Sequence, residues 1–284
     1  DSIRSFYPIK SRPYLTPTTF YKSEVELLDR LSKQSDPKDY VITWWDYGYP
    51  IWYYAHLNTL IDGGKHNEDN FIVSKVLSTS DQTLAYNLSK LSIKTYVETN
   101  RTVAPQLFIK DGKPIDVESF FEELSASKID QNLSQDIYLM FPHRMLNIFP
   151  TVIMFSQRDL NSGKRYPRHF FYKKGIRQRG NKLYIGSIMV DLQKAMIHIG
   201  NKSLPVKNFD VVTFDQEGKT HIKRQPIHDQ GLSVIINQSF GEGLIVDDFY
   251  YDSLFFRLYF FDDYDKELFE PVISSPWMKI YRLK

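Results

Sequence analysis

At 284 residues, 42% hydrophobic and 25% charged, the chain has the composition of an ordinary folded protein, long enough for one large domain or two modest ones. Its 36 Lys and Arg against 34 Asp and Glu leave a net charge of +2, too small to make nucleic acid the main partner, and the absence of Cys excludes disulfides, thiolate metal sites and cysteine nucleophiles. Apolar runs such as 149–155 fall far short of the ~20 residues a spanning helix needs. The chain opens on Asp1 with no signal-like segment, so it reads as a fragment of a longer protein or a processed one.

Residues 1–19 carry three prolines among polar and aromatic positions and read as a surface tether. Val25, Leu27, Leu28 and Leu31 then recur at helical spacing behind Ser23, until Asp36-Pro37 stops the run. Tyr40-Val41-Ile42-Thr43 is a short strand leading directly into Trp44-Trp45-Asp46-Tyr47-Gly48, which places that string at the carboxyl end of a strand, where mixed folds put their sites. Residues 51–56 suit one or two helical turns, Thr59-Leu60-Ile61 a second strand and 62–66 a tight loop. Two helical stretches are expected over 70–91, a strand over Leu91–Val97, and an amphipathic helix over Val117–Leu124.

The longest apolar region, Ile137–Phe155, reads as a strand running into a helix that Pro150 kinks or ends. Beyond Ser156 the texture changes to short β runs, such as Lys182–Ile185, Met196–Ile199, Phe209–Phe214 and Leu232–Ile236. Helical spacing returns over Phe249–Phe261, and Met278–Leu283 closes the chain as a strand. The expected fold is mixed α/β (α+β), with helices around a small sheet and an inserted β-rich subdomain. Its divisions would be 1–19, a core over 20–158, the insert over 159–245 and a return to the core over 246–284.

Two adjacent Trp followed by Asp, Tyr and Gly would arise by chance with odds on the order of one in ten thousand or less. Indole N–H groups only donate and a carboxylate only accepts. Converging on one point, Trp44, Trp45 and Asp46 would make a pocket for a hydroxyl. The competing packing reading makes them a buried aromatic pair with Asp46 capping the next helix.

The string resembles the signature of the catalytic subunits of eukaryotic, archaeal and bacterial oligosaccharyltransferases, in which it holds the Ser or Thr at position +2 of the acceptor sequon Asn-X-Ser/Thr. Met145-Leu146-Asn147-Ile148-Phe149-Pro150-Thr151-Val152 resembles the Met-x-x-Ile-x-x-x-Val form of the bacterial branch. Taken alone, that spacing marks the buried face of almost any helix. The resemblance covers residues 40–155 and the tail at 279–284 and fades across the β-rich stretch.

The resemblance implies that Trp44, Trp45 and Asp46 bind the acceptor, with Tyr47 and Gly48 supporting the motif. Ile148, with Met145, would meet the methyl of a +2 Thr. Tyr49 is a candidate contact to the donor glycan, with packing an equally good role. Lys65 and His66 read first as solvated loop residues and second as neighbours of a pyrophosphate. The resemblance also implies a soluble domain on the periplasmic face of the bacterial inner membrane. Its partners would be sequon-bearing proteins with an acid preferred at −2, a lipid-linked oligosaccharide donor and its own transmembrane domain. A divalent cation, Mn or Mg, would belong to that missing domain, leaving this fragment inactive alone and without a catalytic residue.

Five sequons occur, at Asn87, Asn100, Asn132, Asn201 and Asn237, and Asn100 and Asn132 have an acid at −2. Asn132, in a polar stretch, is the one expected to be open to self-modification. Asp247-Asp248 and Asp262-Asp263 read as exposed pairs. The basic run 173–180 reads as a solvated hairpin, with contact to anionic lipid or lipid pyrophosphate the second reading. From other classes, a carbohydrate-binding module would stack sugars on Trp44, Trp45, Trp52 and Tyr49, and a glycosidase would use Asp46 and Asp62.

Overall fold

The computed structural model describes residues 20–65, 67–130, 132–157 and 167–284; the expected tether over 1–19, His66, Gln131 and the stretch 158–166 lie outside the described residues. Helix α1, Lys22–Ser32, buries Leu28 and Leu31. It starts one residue before Ser23, because the Tyr21 N–H donates to the Glu24 carboxylate at 2.8 Å. Strand β1, Tyr40–Ile42, is followed by a 3-10 turn Trp45–Tyr47, the one-turn helix α2, Gly48–Pro50, and a π-helical turn Ile51–Ala55. Strand β2 is only Asn58–Thr59, with Leu60 and Ile61 buried beyond it.

Helices α3, Asp69–Ser78, and α4, Gln82–Thr99, follow. The strand expected over Leu91–Val97 does not form, since those residues continue α4. Alternation of Leu91, Ile93, Thr95 and Val97 imitates a strand, but Asp81 caps the helix by accepting from Leu84 N at 2.9 Å, and Leu88, Ser89, Ser92 and Ile93 lie buried along it. Asn100, in the left-handed region at φ 51°, ends it. Then come α5, Val103–Phe108, the small hairpin of β3, Ile109–Lys110, and β4, Lys113–Pro114, and α6, Val117–Ser125. Strand β5, Ile137–Pro142, is buried at every position and passes through a 3-10 turn, His143–Asn147, into α7, Phe149–Ile153. Pro150 falls in the first turn of α7, where its missing N–H costs nothing, so it opens the helix rather than kinking or ending it.

Next are β6, Phe170–Lys174, β7, Ile176–Arg179, β8, Lys182–Ile185, β9, Ile188–Asp191, β10, Met196–Ile199, and the long β11, Lys202–Phe214. Strands β12, Thr220–Pro226, β13, Leu232–Asn237, and β14, Glu242–Val246, precede α8, Asp248–Tyr251, and α9, Leu254–Phe260; β15, Phe269–Ile273, and β16, Met278–Leu283, end the chain.

Two sheets organise these elements. The first runs β15-β16-β5-β1-β2, with β1 parallel to both β2 and β5 and the C-terminal pair antiparallel beside them. The second, 9-stranded, curls into a nearly closed barrel in the order β6-β14-β13-β11-β10-β9-β8-β7, with β12 on β11. Every residue of β13 and β14 is buried, because these two strands are covered on both faces. Val234, Ile236 and Ile245 fill the barrel interior, while Ile235, Leu244 and Val246 pack into the larger core around α9. This shared wall welds the barrel to the first sheet.

Candidate functional site

The two sequence motifs meet because β1 and β5 are parallel neighbours, with Ile42 in register with Leu139. Both strands end at the same edge, and the Thr43 hydroxyl ties them by donating to the Met140 carbonyl at 2.9 Å. The segments leaving that edge, 44–48 and 143–148, form one side of a cleft of about 350 Å³. Asp46 and Ile148 both line it, with Glu24 and Arg144, whose charges lie 3.5 Å apart.

The motif residues divide by position. Asp46 is exposed on the cleft, Trp45 is half-buried at the core margin, and Trp44 is buried, its ring 5.1 Å from that of Phe155. Among the described residues lining the cleft, neither tryptophan is present. The structure thus brings Asp46 and Ile148 to one surface without setting both indoles beside them. The N-cap position of α2 is Tyr47, whose side chain makes no capping hydrogen bond.

Tyr47 is buried and lines the cleft edge-on to Phe20 at 6.2 Å; burial pushes its phenol well above the usual range. At Gly48 the chain crosses the loop after β2 so closely that a Cβ would lie 2.3 Å from the Asp62 Cβ. No other residue fits there without backbone movement.

Met145 and Ile148 do not share one helical face. Met145 is wholly buried. Ile148, at φ −119° and ψ −3°, is the joint between the 3-10 turn and α7, and that break turns it toward the cleft while Val152 returns to the core. The spacing alone would have made all three core positions.

Across the cleft the barrel contributes Lys174, Phe240 and Glu242. Glu242 accepts the Tyr172 hydroxyl at 2.6 Å, and its other oxygen lies 2.7 Å from His143 Nε2. Burial works to raise this carboxyl, but the hydrogen bond and charge of His143, with Tyr172 and Lys174, overcome it and hold the group below its usual value. The His143 ring stacks on Phe240 at 4.1 Å. Nothing in the sequence pointed to this junction, because its partners are 99 positions apart.

Tyr49 is 54% exposed, edge-on to Trp52 at 5.9 Å, and covers Gly63 and Gly64. Lys65 donates to the Tyr96 hydroxyl at 3.0 Å. With Trp44 buried and the Trp52 indole donating to Thr59 Oγ1 at 3.1 Å, the four rings do not form the platform a carbohydrate-binding module would require. Asp62 is buried and accepts from the N–H groups of Gly64 and Lys65 at 2.8 and 3.0 Å, serving its own loop. Asp262-Asp263 is not a merely exposed pair: Asp262 binds the ammonium of Lys279, which is fully buried, and Asp263 pairs with Arg257 at 2.8 Å. Asn87 and Asn237 are buried, whereas Asn100, Asn132 and Asn201 are exposed. Among the described residues no three His, Asp or Glu side chains gather to hold a metal ion, and no helix is long and apolar enough to cross a membrane.

Two family models cover most of this architecture: the STT3/PglB/AglB core domain matches residues 37–162 and the STT3/PglB C-terminal beta-barrel domain matches 169–246. The chain belongs to this STT3/PglB family. It is similar, at 32% identity over 291 aligned residues, to the undecaprenyl-diphosphooligosaccharide–protein glycotransferases of Campylobacter jejuni strains RM1221 and NCTC 11168, covering 95% of this chain and 40% of each relative. It therefore spans about two fifths of their length. The crystal structure of the C. jejuni PglB C-terminal domain superposes with a TM-score of 0.77 at 31% identity, covering 92% of this chain and 99% of that one.

Proposed function

We propose that this chain is the acceptor-reading part of a protein N-glycosylating oligosaccharyltransferase, on the periplasmic face of a bacterial inner membrane. In this reading the complete enzyme transfers a glycan en bloc from a polyprenyl-diphosphate carrier to the Asn of Asn-X-Ser/Thr, and the fragment alone is inactive. The observation that carries it is the presence of Asp46 and Ile148 on one cleft although 102 positions separate them in the chain.

The +2 hydroxyl donates to the Asp46 carboxylate, while Ile148 faces its methyl. Trp45, at the margin, supplies an indole donor, and Trp44, packed on Phe155 in the core that also holds Met145, keeps the motif rigid. A site built to bond a hydroxyl rejects an analogue lacking it by ~10⁴-fold, because its polar groups are left unpaired. One methyl against Ile148 is worth only ~0.8 kcal/mol. Requirement for a hydroxyl and preference for Thr would therefore come from different residues. Tyr49, next to the motif in the chain, would meet the donor sugar with its exposed ring. In this reading the divalent cation that would polarise the reacting groups is held by the membrane domain.

The test compares binding of a fluorescent Asp-Gln-Asn-Ala-Thr peptide and its +2 Ala analogue to the complete enzyme. The parent should bind only the Thr peptide, and Asp46→Ala should erase the difference. Equal binding of both peptides by the parent would return the Trp pair to a purely structural role.

A further inference from the structure

Between positions 161 and 190 the sequence holds eight Lys and Arg and no Asp or Glu, in a chain whose net charge is only +2. The barrel gathers part of this run on one surface. In the β7–β8 hairpin Arg177 pairs with Tyr184 and Arg179 with Lys182, alternating with Leu183 and Ile185, which are buried in the barrel core. The period-2 geometry of strands therefore sends Arg177, Arg179, Lys182 and Tyr184 outward. The outward rows continue across the sheet, Tyr184 to Met189 and Lys182 to Asp191, and from Asp191 to Met196.

A basic margin thus fronts a row of half-buried Tyr184, Met189 and Met196. Arg177, Arg179 and Lys182 are exposed and form no ion pair among the described residues. Asp191, the acid beside them, turns one oxygen to the N–H groups of Gln193 and Lys194 at 3.1 and 2.9 Å. Strand β7 ends the sheet order. Charges on a terminal strand discourage pairing with another sheet. One or two charges suffice for that, and the Tyr and Met row behind them would have no part in it.

We infer that this outward face of β7, β8, β9 and β10 docks on a bilayer of anionic phospholipid. The guanidinium and ammonium groups meet lipid phosphates, and Tyr184, Met189 and Met196 rest against the headgroup layer. The contact holds the barrel to the membrane surface on which a lipid-linked donor must be presented, and it does not involve the acceptor cleft.

The experiment is co-sedimentation of the 284-residue chain with vesicles of phosphatidylcholine alone or mixed with phosphatidylglycerol. Binding should require the anionic lipid and weaken as salt rises from about 50 to about 500 mM. The triple variant Arg177→Glu, Arg179→Glu, Lys182→Glu should bind about a hundredfold more weakly. The milder Gln triple should fall between the two and, lying on exposed positions, unfold like the parent. Lys223→Glu, on β12, and Asp46→Ala should leave vesicle binding unchanged. Equal binding to both vesicle types, or parent-like binding by a folded triple variant, would overturn the inference. Because Asp46→Ala affects peptide discrimination alone, this surface and the acceptor reading stand or fall separately.

Discussion

The first sheet and the barrel solve different problems with the same kind of strand. In the first, parallel β1 and β5 are brought together from opposite ends of a run of helices, and the side chains of interest hang from the loops beyond their carboxyl ends. In the barrel most neighbours are antiparallel and close in sequence, and the burial of β8 and β9 alternates residue by residue. The first arrangement builds a cleft from distant residues, whereas the second builds a wall and an outer surface. They touch where His143, on the segment that leads to Ile148, meets Glu242 and Phe240 of the barrel. The barrel is therefore part of what fixes the shape of the cleft that Asp46 and Ile148 line.

Breaking that junction should have the largest effect on stability. Replacing His143 with Ala leaves one oxygen of the buried Glu242 carboxylate without its imidazole partner, at a cost of about 3 kcal/mol, read as a lower midpoint in urea. The pH dependence has a definite sign. Glu242 titrates below its ordinary value of 4.5 when folded, so its contribution is complete above about pH 4.5 and disappears as pH falls through the folded value. Glu242→Gln should flatten the acid limb of the stability profile. A variant whose acid limb keeps the parent slope would show that other carboxylates set it.

The glycines sharpen the same contrast. Gly48→Ala forces a Cβ into the Asp62 backbone region and should cost roughly 2 kcal/mol. In the barrel, Gly241 has open space around it and φ of 63°, so Gly241→Ala meets only backbone strain, about 1 kcal/mol. Thermal unfolding of the two variants side by side should rank them in that order. A parent-like melting temperature for Gly48→Ala would mean the loop after β2 moves away freely. The smallest effect belongs to Ile148→Ala in the complete enzyme, which should reduce the Thr over Ser preference about fourfold without removing the requirement for a hydroxyl. An unchanged Thr/Ser ratio would take Ile148 out of the acceptor site.

Much of the fold was legible where local chemistry decides it. The strand entering the Trp pair, the helix ended near Asp36-Pro37, the β runs after residue 167 and the closing strand all appear. The error at Leu91–Val97 shows where that logic stops. Period-2 alternation of β-branched residues is a strand pattern only if a sheet edge is available, and here an 18-residue helix already in progress claimed those positions. Pro150 departs from the sequence expectation for a related reason: the same missing N–H that breaks a helix interior is harmless in a first turn.

By itself the sequence determined the chemistry that could be offered. It supplied the Trp-Trp-Asp-Tyr-Gly string, the isoleucine of the second motif, the basic run and the absence of thiols, because these are properties of residue identity and short-range order. Only the tertiary structure decided which of them share a surface. Parallel pairing of β1 with β5 put Asp46 beside Ile148, and the break at Ile148 turned that side chain out of the core. Burial withdrew Trp44, and barrel curvature carried Glu242 to His143. Those outcomes depend on contacts between positions about 100 residues apart, where chain connectivity no longer constrains distance and only packing does.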